Sequence, residues 1–430
     1  MTAPRRQRSA PHDRELRLWK VGWALGLSFA VAVLVAGGIF YSLVELLNFK
    51  EIDSTTKLDA KTLFDLVKLS FGVVAGAGAL VALVVAYRRQ RVDEVGAHRE
   101  ATRLHTERFS QAIDKLGSDS PAVRLGGVHA LAGLADDAPD DNLRQTCIDV
   151  LCAYLQIPFT PDPGEDPAHQ EEHHRYLALR KVRHTILRLI GDHYRRPKGT
   201  HRSWQGCDLD LTGITIDGSI DFLDAVFSGG TVSFNGAKFS GSTVSFNGAK
   251  FSDGPEFSDG TVSFNGAVFS DGTVTFNGTK FSGGRVSFNG AEFSGGTVSF
   301  DATISHGRVS FGGVTFSNMR VLFGSAVFSN GIVTFDHALF SGGRVSFNGA
   351  EFSGGTVDFG DAEFSGGTVD FRDARFSGGV VVAFNNATFS DGRVSFNGAT
   401  GPAPGGLLAA VSTPVPATVI LPPAWMTPIP

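Results

Sequence analysis

The sequence predicts a membrane-anchored α+β protein: two transmembrane helices, a small all-α region, then a parallel β-helix. Three observations predict it. Between Phe227 and Thr400 one phrase, F-S-G-G-T-V-S-F-N-G-A-x, recurs with small variations. Val21–Val44 and Leu69–Tyr87 are runs of 24 and 19 residues without a charge. Between them and the repeat lie short stretches with apolar residues at helical spacing.

The phrase can be read at Phe227, Phe239, Phe257, Phe269, Phe281, Phe293, Phe340, Phe352 and Phe364, twelve residues apart where the register is undisturbed. Self-similarity at a short fixed period predicts a solenoid whose units bury apolar side chains only against their neighbours. Residues two apart on an extended chain point to one side. Val232 and Phe234 therefore face in, as do Ala237 and Phe239, while Ser233 and Lys238 face out. The glycine that follows can turn a corner at positive φ. Short strands separated by corners stack as a parallel β-helix with coils ~4.8 Å apart.

The pattern resembles the pentapeptide-repeat family, with Phe at the centre of each five and Ala or Val two before it, over Leu209 to Thr400. The resemblance implies a four-sided, right-handed β-helix. The extra two residues per pair of fives make Phe spacings alternate between 5 and 7. A coil of two twelves has four Phe, one per face. A coil of one twelve has two in a very thin core and is the less favoured. The extra pair predicts bulges at alternate corners. Faults fall between Phe251 and Phe257, with Pro255 in an inward slot, between Phe300 and Ile304, and between Phe376 and Phe384. Such slips predict irregular corners. Asn235, Asn247, Asn265, Asn277 and Asn289 are expected to form a ladder along one edge, satisfying corner backbone groups.

From the start, residues 1–20 are a basic segment expected in the cytoplasm, with Arg5, Arg6, Arg8, Arg14, Arg17 and Lys20. Residues 21–44 and 69–87 are the two spans, since a bilayer core of ~30 Å needs about 20 apolar residues. Residues 45–68 form a short external link of mixed charge. Basic residues on both outer flanks place both termini in the cytoplasm, for a multi-pass protein of the inner (plasma) membrane. Trp19 and Trp23 suit an inner aromatic belt, and Gly72 and Gly76 close helix packing. Residues 88–157 read as helical. Ser120 and Pro121 start one helix with Val123, Val128, Leu131 and Leu134 on one side; Ile148, Leu151, Cys152 and Leu155 mark the next. These short helices resemble an armadillo or HEAT fragment. Glu107 to Leu131 resembles the segment before the repeats in actinobacterial membrane-bound pentapeptide-repeat proteins, a family with no assigned reaction. Residues 158–170 are a linker, 171–202 a basic helix, 203–400 the β-helix, opened by Leu209, Leu211, Ile214 and Ile216 as a cap. Residues 401–430, rich in Pro and without a charged side chain, are expected to be disordered; the alternative is that their Leu and Val residues lie against the last coil.

Catalytic, cofactor and metal residues are not predicted at any position, and an enzyme is not expected. His169, His173 and His174 with Glu171 and Glu172 are the one dense ligand-type cluster, but H-E-x-x-H is absent and a polar helix start explains them. Asp136, Asp137, Asp140 and Asp141 lack EF-hand alternation and read as helix caps. His306 and His337 read as isolated surface residues. Cys147, Cys152 and Cys207 read as small buried hydrophobes. Residues 203–400 carry 19 acidic and 10 basic side chains. Family members that protect gyrase use an acidic β-helix as a DNA mimic, but Lys238, Lys250, Lys280, Arg285 and Arg344 interrupt the charge here. The expected role is a membrane-tethered scaffold or protein-binding surface, with the lipid bilayer and an unidentified protein as partners and no nucleic acid. The alternative is a DNA mimic that binds a type II topoisomerase.

Overall fold

The computed structural model describes residues 60–251, 261–377, 379–411 and 414–426, with eight helical positions between 26 and 41. The chain divides into two compact units, 1–102 and 103–430. Helix α1, Ala60–Leu116, contains the second uncharged run. Most of its described apolar side chains there are exposed, among them Leu69, Leu80, Leu83 and Val85, while Val81 and Val84 are partly buried. Among the described residues, no helix is long and apolar enough to cross a membrane. The two expected spans gain no support from this. Most of run 21–44 lies outside the described residues, as do the side chains of 70, 71, 73, 74 and 77.

In the second unit, α2 (Pro121–Asp136) and α3 (Asp141–Gln156) pack their apolar stripes together. Val128, Leu131, Ile148, Leu151 and Cys152 are buried, whereas Val123 faces solvent. Gly127 lets α2 touch the end of α1: a Cβ there would lie 2.6 Å from the Leu116 nitrogen. Ser120 occupies the N-cap position without a side-chain bond, while Asp140 accepts from the Leu143 N–H at 2.9 Å. A 3₁₀ turn at Pro167–His169 falls in the expected linker. Helix α4, Gln170–Tyr194, stops eight residues short of the predicted end at 202. Pro197 is the reason, because proline lacks the N–H that a continuing helix needs.

The described residues between 209 and 395 form a parallel β-solenoid with four faces. In-register partners are typically 24 residues apart, as in Val286↔Val262 and Val333↔Val357, so one coil is two twelves. The first face runs from Leu209–Asp210 to Val381–Ala383 as an eight-stranded ladder. The second runs from Thr215–Ile216 to Thr388–Phe389, the third from Ile220–Asp221 to Arg393–Ser395, and the fourth from Val226–Phe227 to Arg375–Phe376. Each face carries one stack of phenyl rings. On the first, Phe234, Phe264, Phe288, Phe311, Phe335, Phe359 and Phe384 succeed one another at 4.7–4.9 Å. The fourth stack has Ile304 in place of one ring, paired between Phe281 and Phe328.

The alternation of Phe spacings becomes an alternation of corners. The five-residue spacing is a tight turn closed by the Ala237 N–H on the Phe234 carbonyl at 3.0 Å. The turn needs φ > 0 after the Asn, supplied by Gly236 at +63°. The seven-residue spacing gives a wider corner, and at 238–245 and 268–275 the strand pairing continues around it, through positive φ at Gly241 and at Asp271 and Gly272, joining the second and third faces. The missing residue at Phe300–Ile304 is absorbed by a turn one residue shorter, with the Ala302 N–H on the Phe300 carbonyl at 2.7 Å. The extra residue near Phe376–Phe384 makes that coil 25 residues, Thr356↔Val381, and Val381 keeps the outward position of the first face. The fault at Phe257 and Pro255 lies outside the described residues.

The expectation of a disordered tail is overturned over 401–411 and 414–426. Leu407, Val411, Val419, Leu421 and Trp425 are buried against the last coil. Val419–Ile420 pairs in parallel with Val394–Ser395. A low charge and many prolines describe a chain that does not form its own core, but a solenoid end offers it one.

Candidate functional site

Two places gather polar chemistry: the junction between helices and first coil, and the solenoid exterior. At the junction, α4 presents Tyr176, Arg180 and His184 at helical spacing toward Asp217 of the first coil. Tyr176 Oη donates to Asp217 Oδ2 at 2.5 Å, His184 Nε2 lies 3.3 Å from Oδ1, and Arg180 Nη2 donates to the Asp217 carbonyl at 2.6 Å. Burial pushes the Asp217 carboxyl up. The bonds from His184 and Tyr176 and the Arg180 charge outweigh it and hold the carboxyl below its ordinary value. Burial and the same carboxylate push the Tyr176 hydroxyl well up. A carboxylate with both oxygens occupied and a phenol this weakly acidic make a clasp, not a nucleophile with its base.

The sign of the Asp217 effect fixes a pH dependence. A folded value below the unfolded one gives stability that is complete above about pH 4 and lost as pH falls through the folded value. Asp217→Asn is expected to lower the urea midpoint at neutral pH and to flatten its fall between about pH 5 and about pH 2. An unchanged acid profile in the variant refutes the clasp.

Asp136, read from sequence as a helix cap, is instead the centre of a second, more buried cluster. Its carboxylate accepts from Trp204 Nε1 at 3.0 Å and meets His193 Nε2 at 3.1 Å, with Arg196 and Arg202 at 3.8 Å. The His193 and Trp204 rings stack at 4.0 Å. Four partners from α4 and the following loop converge on one carboxylate 57 to 68 positions away. Spacing alone carries no signal for that.

The histidines singled out from sequence do not come together. His173 turns to Asp162, at 2.7 Å, and His169 ends the 3₁₀ turn on the surface. His337 is less isolated than expected: with Asp336 and Asp361 it makes the one group of metal-ligand type among the described residues, all three exposed. His337 and Asp361 sit at the corner position that needs positive φ, +55° and +52°. Asp and His tolerate that conformation better than most residues, which accounts for their presence there. All three cysteines are free, and burial pushes Cys147 and Cys152 up to about 12 and Cys207 to about 11. Such thiols are poor nucleophiles at neutral pH.

On the exterior, asparagine builds two ladders, not the single edge expected, because each coil holds two twelves. In one, the Asn265 N–H donates to Asn235 Oδ1 at 3.0 Å, and the Asn289 N–H to Asn265 Oδ1 at 2.9 Å. In the other, the Asn277 N–H donates to Asn247 Oδ1 at 2.9 Å. The ladders satisfy corner backbone groups. They also cover Ser263, Ser287 and Ser299, whose hydroxyls donate to the asparagines of the preceding coil. Charge is divided by position. The third face stacks Arg320 on Arg344, and its inner acid Asp370 is neutralised by Arg344 and Arg372 at 3.0 and 2.7 Å. The second face carries Glu292 and Glu363 outward, and several corners carry Asp.

A family model described as pentapeptide repeats, nine copies, matches residues 211–261. No curated protein and no solved structure matches the chain. The matched stretch holds the opening coils; the same register continues through the solenoid to residue 395.

Proposed function

We propose that this pentapeptide-repeat solenoid is a structural scaffold whose flat outer faces bind another protein, tethered to the inner membrane with both termini in the cytoplasm. One observation carries the binding role. Four phenyl stacks fill the tube, so what the solenoid offers a partner is a set of exterior faces of short polar side chains with sparse charge of both signs. The tether rests on the two uncharged runs with basic flanks, on the exposed Leu69, Leu80, Leu83 and Val85 of α1, and on the resemblance of Glu107–Leu131 to membrane-bound repeat proteins. The topoisomerase-binding alternative needs negative charge on one outer stripe. Acids here are spread over several corners and the second and fourth faces, and basic residues occur on all four faces.

The test places a photo-crosslinking residue at outward positions Thr297 and Thr315 of the full chain in its native host. Crosslinking to one and the same protein in the membrane fraction is expected. No defined adduct at either position, or recovery in the soluble fraction only, refutes the proposal. Inhibition of gyrase supercoiling by the purified full chain transfers the assignment to the alternative.

A further inference from the structure

We propose that Asn397 is a self-modification site, at which the side chain closes on the Gly398 amide to a succinimide and reopens as an isoaspartyl or aspartyl residue. Glycine after asparagine favours this reaction, because no side chain shields its nitrogen. The sequence holds eight Asn-Gly pairs, and six of them read Phe-Asn-Gly-Ala. Local sequence therefore does not set Asn397 apart from Asn235, Asn247, Asn265, Asn289 or Asn348. The fold does.

The reaction needs a glycine nitrogen free to attack and an asparagine side chain free to turn. At inner corners the next coil removes both freedoms. The Gly236 N–H donates to the Asn265 carbonyl at 2.8 Å, and Asn235 Oδ1 accepts from the Asn265 N–H at 3.0 Å and from the Ser263 hydroxyl. The glycine bond recurs at Gly248, Gly266, Gly278, Gly290 and Gly349, at 2.8–2.9 Å. Such a nitrogen reacts only when the corner opens.

The last coil lacks every one of these clamps. Val419–Ile420 pairs with Val394–Ser395, and the Phe396 N–H donates to the Ile420 carbonyl at 2.7 Å, so the register sets Pro422 over Asn397. Proline has no N–H to give Asn397 Oδ1. Its carbonyl, which by register would take the Gly398 N–H, instead accepts from the Trp425 N–H at 3.0 Å in the helical turn Pro423–Met426. Ile420 stands where inner coils carry the serine hydroxyl. Among the described residues, neither the Gly398 N–H nor the Asn397 side chain has a hydrogen-bond partner, and both residues are exposed. The Gly331 N–H of the pair Asn330-Gly331 also lacks a partner there, but Gly331 is buried against Ile304. Its flanks are paired, Ser329 to the Ile304 carbonyl at 3.0 Å and Ile332 to that of Gly307 at 2.9 Å.

The step needs only water. The Gly398 nitrogen bonds to the Asn397 side-chain carbonyl carbon, and its proton leaves with the side-chain amino group as ammonia. Water then adds to either ring carbonyl and breaks its bond to nitrogen. The product carries a new carboxylate one coil above Asp373, whose N–H donates to the Asn397 carbonyl at 3.1 Å. The isoaspartyl form also lengthens the backbone where the tail meets the last coil.

The test ages the purified full chain at neutral pH and reads amide loss at each Asn-Gly pair by peptide mass spectrometry. Conversion at Asn397 is expected to be at least about tenfold faster than at any inner corner, with Asn330 slower than Asn397. In urea the rates at the six Phe-Asn-Gly-Ala pairs are expected to converge. Pro422→Ala restores an N–H over Asn397 and is expected to slow its loss about threefold. Asn397→Gln is expected to remove most of the label that an isoaspartyl-specific carboxyl methyltransferase places on the aged chain. Loss at an inner corner or at Asn330 as fast as at Asn397 in the folded chain overturns the proposal. So does an unchanged rate in Pro422→Ala that keeps its β signal. If that variant does not fold, the comparison of corners in the parent decides.

Discussion

Phe347→Ala is expected to destabilise the solenoid by about 3–5 kcal/mol. The ring is fully buried and lies 4.7 Å from Phe323 below and from Phe371 above, nearly parallel to both. It also meets Phe335 and Phe359 edge-on at 5.8 Å. Removal therefore opens a cavity in the stack and costs ring contacts in three successive coils. The paired strands of the Val321, Val345 and Val369 ladder beside it hold the coil spacing, so the walls cannot collapse inward to fill it. Phe328→Leu is the control. Its stack already contains an aliphatic residue, Ile304, directly below, and the change is expected to cost less than about 1.5 kcal/mol. Urea unfolding followed by the β signal in circular dichroism measures both. A loss below about 1 kcal/mol for Phe347→Ala would mean that the rings are not what holds the tube together.

Asp136→Ala is expected to cost about 1–3 kcal/mol, because it leaves polar groups of the buried Trp204 and His193 rings without their acceptor. The carboxylate is 11% exposed and the facing His193 side chain 4%. Trp204 Nε1 loses its acceptor in the same change. The damage falls at the joint between α2 and the entry to the first coil, while coils further along touch none of these groups. Proteolysis should then cut near residues 196–204 in the variant and leave a resistant fragment containing the later coils. Equal protease resistance in variant and parent contradicts the assignment of Asp136 as the joint.

Some of this was legible from residues alone. The 5-and-7 alternation of Phe, with Val or Ala two before it, decides which side chains face in, because strand geometry leaves no freedom once Phe is inside. It also favours a coil of two twelves, since two rings fill a tube poorly and four fill it well. The Asn ladders were visible as a repeated residue, but their number was not, because that depends on how many repeats make one turn. The start of the solenoid at Leu209 was visible as a change from Phe to Leu and Ile.

The sequence by itself thus determined the periodic body, its inward residues and the uncharged runs at the start of the chain, since these are local patterns repeated many times. Only the tertiary structure decided the role of Asp136, the clasp at Asp217 and the ordering of the tail. Each depends on partners tens of residues away that occur once. A repeat announces its contacts through self-similarity, whereas a cap or joint is made once, from side chains whose meeting is arranged by everything folded between them.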